Sequence, residues 1–205
     1  MSNRKGASAV NNFSLRKITP LTENQTLAFK AFDDGNHLII SGAAGSGKSF
    51  LAMYFALKEW LAQEINKVVI VRSAVPTRDI GYLKGTYEEK MEIYQQPYAE
   101  IVNNLLQRGD GWEYVRKRHW VDFQSTSYLR GMTFNDCIII FDEFQSATFH
   151  EIDTVLTRVG DNCRFILCGD YFQNDLENKR ESTGFNKAVE IVSRCDFVSH
   201  IEFGI

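Results

Sequence analysis

One stretch, HLIISGAAGSGKSFLAMYFAL (His37–Leu57), limits what this chain can fold into more than any other. The mostly apolar run His37–Ser41 is short and runs into Gly42, which reads as a buried strand, whereas from Lys48 to about Leu61 the apolar residues recur at helical spacing. Between the two, Gly42, Gly47, Lys48 and Ser49 fill the pattern G-x-x-x-x-G-K-S. An ordinary glycine turn that happened to carry Lys-Ser would need neither a strand before it nor a helix after it, and here both are present. Glycines let successive backbone N–H groups turn inward at a helix N-terminus, which makes an anion nest. Gly42, Ala43, Ala44, Gly45, Ser46 and Gly47 are the expected phosphate cradle. Lys48 is expected to reach the β- and γ-phosphates, and the Ser49 hydroxyl to ligate Mg²⁺. The implied ligand is a nucleoside triphosphate with magnesium.

The rest of the chain reads as alternating strands and helices. A helix is expected over Thr22–Asp34, with Thr22 and Gln25 spaced as a capping box. Lys67–Ser73 is an apolar strand, followed by the loop AVPTRDIGYLKG and a helix from about Tyr87 to Leu106. Strands follow at WVDFQS, Cys137–Glu143 and Cys163–Asp170. Thr148 and Glu151 are spaced to cap a helix between the last two. A helix near Gly184–Ser193 and a final strand FVSHIEF end the sequence. This alternation predicts an α/β fold, a parallel sheet with helices on both faces. At 205 residues it suits one domain, placed at 21–205 behind a loose basic tail over 1–20.

A second constellation lies in the strand Cys137–Phe141, which runs apolar straight into Asp142 and Glu143. A charged pair on a surface turn is the plain alternative. In a parallel sheet, however, this place is the carboxyl end of a buried strand, where ligands collect. Asp142 is then expected to hold magnesium, directly or through water, and Glu143 to take the proton of an attacking water.

Composition narrows the remaining possibilities. A net charge of −3 gives no global attraction to nucleic acid, so such binding has to be local. The four cysteines form no CxxC pair, and Cys137, Cys163 and Cys168 lie in or beside apolar runs. Buried free thiols in a reducing, cytoplasmic setting are expected rather than zinc or disulfides. No run approaches the roughly 18 apolar residues of a membrane span, and the first residues lack the apolar core of a secretory signal. His37, His150 and His200 are isolated and show no metal-ligand spacing. In GWEYVRKRHWVDF (Gly111–Phe123), basic residues interleave with aromatics, which suits either a single-stranded nucleic-acid surface or a helix whose aromatics pack inward.

Several strings in family order resemble a known family. FDEFQ is similar to a helicase motif of the Asp-Glu-x-Gln kind, and GDYFQ (Gly169–Gln173) resembles the Gly-Asp-x-x-Gln motif of superfamily 1 helicases. VIVRSAVPTRDIGYLKG, YLRGMTFND and VLTRVG resemble the run specific to PhoH proteins. The resemblance covers about Thr19 to Phe203. It implies a RecA-like domain similar to the first half of those helicases, with ATP and Mg²⁺ as cofactors, ATP hydrolysis as the activity, and RNA or single-stranded DNA as a partner. By position it makes Gln25 an adenine reader, in competition with its capping role, and Gln173 a γ-phosphate sensor. Arg130 and Arg158 match family arginines, or pair with surface carboxylates. Members continue past the last strand into an arginine-containing segment, whereas this sequence stops at Ile205, so the source of an arginine able to cap a γ-phosphate is left open.

A small nucleotide or metabolite kinase shares the phosphate loop, and a non-catalytic ATP-dependent assembly subunit does too. Glu143 and the Gly-Asp-x-x-Gln string argue for hydrolysis. The helicase-like reading requires Arg164–Cys168 to lie between His37–Ser41 and Ile138–Phe141, so that Gln173 sits beside both the phosphate loop and Glu143. A kinase would often pair the phosphate-loop strand with the acidic strand instead. Because one such domain supplies a single wall of the nucleotide cleft, a head-to-tail homo-oligomer is expected, a hexameric ring foremost.

Overall fold

The computed structural model describes residues 14–73, 87–129, 131–170, 184–192 and 194–204. In chain order the elements are α1 (Glu23–Asp33), β1 (His37–Gly42), α2 (Lys48–Leu61), β2 (Lys67–Arg72), α3 (Tyr87–Leu105), α4 (Gly111–Lys117) and β3 (Val121–Ser125). Then come β4 (Cys137–Asp142), α5 (Phe149–Leu156), β5 (Cys163–Gly169), α6 (Gly184–Val192) and β6 (Val198–Phe203). The strands form one parallel sheet in the order β3-β2-β4-β5-β1-β6.

Both faces of the sheet are buried, which is why its strands read as unbroken apolar runs. Leu38, Ile40, Val68, Ile70, Ile138, Ile140 and Ile166 point to the face covered by α1, α2, α3 and α4. Their alternate neighbours Ile39, Val69, Val71, Ile139, Phe141, Phe165 and Leu167 point to the face covered by α5 and α6. The period-two alternation of a strand sorts one sequence into two cores.

The strand order meets the requirement set by the sequence. β5 lies between β4 and β1, pairing Ile138 with Arg164 on one side and Leu38 with Ile166 on the other. The carboxyl ends of β1, β5 and β4 therefore stand side by side. Gly42, which ends β1, has φ +148°, and a Cβ there would lie 2.3 Å from the Phe203 carbonyl oxygen. Only glycine lets β6 close on the start of the loop.

Within the stretch expected to be a loose tail, Leu15 and Ile18 pack against the core, and the Arg16 N–H donates to the Leu105 carbonyl at 2.8 Å. The Thr148/Glu151 capping box is present. Glu151 also accepts from the hydroxyls of Ser73 (2.8 Å) and Thr126 (2.6 Å), so it ties the ends of β2 and β3 to α5. Burial works to raise its pKa, but the hydrogen bonds from Thr126, Thr148 and Ser73 outweigh it and hold the carboxyl below its usual range. Among the described residues no helix is long and apolar enough to cross a membrane.

His37 gives the fold a pH dependence. Its Nδ1 accepts from the Phe165 N–H at 3.0 Å, and its ring stacks on Phe165. Burial first, and the charge of Arg164 second, bring its pKa down from 6.5 to about 4. The folded chain thus keeps this imidazole neutral where the unfolded chain protonates it. Stability is full above 6.5, falls as pH drops through the window from 6.5 to about 4, and loses nothing further from this group below that. His200 adds to the same trend, because burial lowers its pKa as well. Thermal midpoints measured across this window are expected to decline, and His37→Asn is expected to flatten the decline without removing it.

Candidate nucleotide site

The loop after β1 turns through Gly45 (φ +78°) and Gly47 (φ +88°), both in the left-handed region that side chains resist. Gly47 is the N-cap of α2 and supplies no side-chain cap, so the first-turn N–H groups of a 14-residue helix face the loop with no side chain to satisfy them. Lys48 is only 8% exposed. Its ammonium donates to the carbonyls of Gly42 and Ala43, both at 2.7 Å, and among the described residues no carboxylate pairs with it. The Ser46 hydroxyl is buried without a hydrogen-bond partner. A buried cation held only by carbonyls, an orphaned hydroxyl and an uncapped helix N-terminus together suit a polyphosphate. Ser49 stands half-buried in the first turn of α2, on the same loop.

The acidic pair ends β4, one strand beyond β5. Asp142 is 5% exposed. Its Oδ2 accepts from the Tyr98 hydroxyl at 2.6 Å and its Oδ1 from the Glu143 N–H at 3.0 Å. Burial and then the charge of Asp142 push the Tyr98 hydroxyl well above its usual value, so it stays a donor. Glu143 has φ +53° and ψ +36°, a left-handed conformation that costs a non-glycine residue on the order of 1–3 kcal/mol. Its Oε2 accepts from the Gln145 carboxamide at 2.6 Å, and the carboxamide oxygen of Gln145 in turn accepts from the Asp170 N–H at 3.1 Å. Gln145 is 2% exposed. This chain of bonds fixes Glu143 to the loop that leaves β5.

In the sheet register Cys168 lies between Ile40 of β1 and Asp142 of β4. Burial raises its thiol pKa, with Asp142 raising it, Lys48 lowering it and Glu143 raising it. All three charges therefore act on one buried sulfur. With strands about 4.8 Å apart, the ends of β1 and β4 stand roughly 10 Å from each other across β5. This spacing fits a phosphate group held by one strand and a cation held by the other.

Other expected residues fare differently. Gln173 and Arg130 lie outside the described residues, as does the loop expected at AVPTRDIGYLKG. Gln25 is seen in its capping role: its N–H donates to Thr22 Oγ1 at 3.1 Å, while its carboxamide oxygen accepts from the Leu21 N–H at 2.7 Å. The Arg158 carbonyl accepts from Phe134 N–H, before the start of β4, so Arg158 stands at the opposite end of the sheet from Lys48. In Gly111–Phe123 the aromatics pack inward. Trp112 is buried, Tyr114 and Trp120 lie against the core, and Arg118 stacks 3.7 Å from the Tyr114 ring centre. The chain's own arginine thus covers that ring. Tyr98 and Gln145 are the partners that sequence reading left without a role.

A family model described as PhoH-like protein matches residues 17–205. The PhoH-like protein of Mycobacterium leprae is 30% identical over 185 residues, 88% of this chain and 52% of that protein. Protein PhoH of Escherichia coli is 27% identical over 189 residues, 91% of this chain and 53% of that one. The chain thus spans about half the length of these curated relatives. Among solved structures, the Hef helicase domain of Pyrococcus furiosus has a TM-score of 0.52 at 13% identity, covering 89% of this chain and 38% of that one; the likeness is one of fold. Sheet order, phosphate loop and acidic strand are those of a P-loop NTPase with a RecA-like fold, and the chain belongs to the PhoH-like protein family.

Proposed function

We propose that this chain binds Mg-ATP at Gly42–Ser49 and hydrolyses it, and that single-stranded RNA or DNA stimulates the hydrolysis. The observation that carries the reading is the register at Cys168 of β5, which faces Ile40 of β1 on one side and Asp142 of β4 on the other, so that the Lys48 loop and the Asp142–Glu143 pair leave the same edge of the sheet. Lys48 exchanges its carbonyl partners for phosphate oxygens. Ser49 and Asp142 hold the magnesium ion, which when bound neutralises the phosphates and polarises the γ-phosphoryl group. Glu143 orients the attacking water and accepts its proton. Gln145 keeps the Glu143 carboxylate in place, and Gln173, which follows β5 in the sequence, senses the γ-phosphate. Gln25, to read the adenine, turns its carboxamide from the Leu21 N–H to the nucleotide. The position of β5 between β1 and β4 favours this reading over a metabolite kinase.

Phosphate release from Mg-ATP, measured with and without single-stranded RNA, tests the proposal. Release that rises with RNA supports it. ATP bound without release favours the assembly subunit, and phosphate passed to an added nucleotide favours the kinase. A ring of six chains, which would supply the second wall of each cleft, predicts fast sedimentation with ATP; a monomer at micromolar concentration contradicts the ring.

Tyr98 offers a finer test. Partners that orient a metal-binding carboxylate typically contribute about 10–100-fold to metal affinity. Tyr98→Phe keeps the ring in the core and removes the donor to Asp142 Oδ2. The Mg²⁺ concentration that half-saturates ATP turnover is expected to rise by about that factor, while the thermal midpoint moves little.

A further inference from the structure

The amino end of the sheet, opposite the nucleotide site, holds a second chemical pair. Cys137 opens β4 and Cys163 opens β5, and the parallel register sets them directly opposite each other. Their sulfurs are 3.3 Å apart and in contact. Adjacent strands place facing Cα atoms about 4.8 Å apart, inside the roughly 4.4–6.8 Å range that a disulfide bridges. Both residues line a cleft of about 490 Å³, together with Glu64, Ile65, Asn162 and Arg164. Cys163 is 7% exposed and Cys137 is fully covered. Among the described residues no group of three metal-ligating side chains gathers.

We propose that Cys137 and Cys163 form a reversible dithiol–disulfide site, oxidised through the cleft by a small disulfide of the glutathione class. Cys163, the more accessible sulfur, attacks first. Its thiolate bonds to one sulfur of the oxidant, whose S–S bond breaks and releases one thiolate. The Cys137 thiolate then attacks the Cys163 sulfur of this mixed disulfide, forming the Cys137–Cys163 bond and expelling the second thiol. Two protein thiols lose two electrons and two protons, and one small disulfide becomes two thiols. The asymmetry agrees with the electrostatics: the hydrogen bond from Cys137, with help from the Gly160 backbone, lowers the Cys163 pKa against the effect of burial, while the same contact raises that of Cys137. The pair lies five residues down β4 from Asp142, about 17 Å at strand rise, so the site is separate from the nucleotide.

The test treats the folded chain with excess oxidised glutathione and maps its peptides under non-reducing conditions. A peptide linking Cys137 to Cys163, lighter than its parts by two hydrogens, is expected, and it should disappear with dithiothreitol. Cys137→Ala is expected to trap glutathione on Cys163, because no second thiol resolves the adduct. A thermal melt run alongside reports whether that variant is folded. The half-buried Cys195 serves as the internal control for reagent activity. If Cys195 is modified while Cys137 and Cys163 of the folded wild type stay reduced, the proposal is overturned. The same holds if folded Cys137→Ala carries no adduct on Cys163.

Discussion

Glu143→Gln is expected to suppress ATP hydrolysis by about 10²–10⁴-fold, the usual contribution of a positioned general base, and to leave Mg-ATP affinity unchanged. A carboxamide is nearly the same size as the carboxylate but cannot accept the proton of the attacking water. The Gln145 carboxamide that now donates to Glu143 Oε2 at 2.6 Å can still donate to the oxygen of a glutamine at 143. The left-handed backbone and its setting therefore survive the substitution. Single-turnover phosphate release, with ATP affinity measured on the same preparation, checks both halves of the expectation.

Lys48→Ala is expected to weaken Mg-ATP binding by roughly 30-fold to several thousand-fold, since removing one member of a buried charge pair costs about 2–5 kcal/mol. The lysine is buried and held only by the carbonyls of Gly42 and Ala43. Its loss removes the site's main cation and leaves those two carbonyls without a donor. Equilibrium titration of the variant with Mg-ATP reads the effect. A thermal melt without nucleotide shows how much of any loss belongs to the fold, and the midpoint is expected to move by only a few degrees.

Much of this was legible in the sequence, for reasons that differ by residue. The strands at His37, Lys67, Cys137 and Cys163 announced themselves because a sheet covered on both faces needs unbroken apolar runs. The phosphate loop was legible because its chemistry is local: glycine, lysine and serine at fixed spacing between a strand and a helix. The position of β5 followed from requiring Gln173 to reach a site between two other strands, and the sheet order satisfies that requirement. Tyr98 could not be found this way. It lies 44 residues before Asp142, and only the packing of α3 on the sheet brings the two together. Gln145 was visible within the FDEFQ string, but its bond to the Asp170 N–H depends on how two loops converge. In Gly111–Phe123 the sequence shows cations beside aromatics and not which covers which; packing turned Trp112 inward and laid Arg118 over Tyr114. Cys137 and Cys163, 26 residues apart, meet only through the register of β4 on β5.

In the proposed mechanism β1 and β4 bring two separable functions, holding the phosphates and activating water, to one nucleotide. Calorimetric titration of Mg-ATP into Lys48→Ala and Glu143→Gln, side by side with the unchanged chain, tests it most directly. Glu143→Gln is expected to bind as the unchanged chain does, and Lys48→Ala is expected not to bind measurably at the same concentrations. Equal loss of binding in the two variants, or full retention in Lys48→Ala, would contradict it.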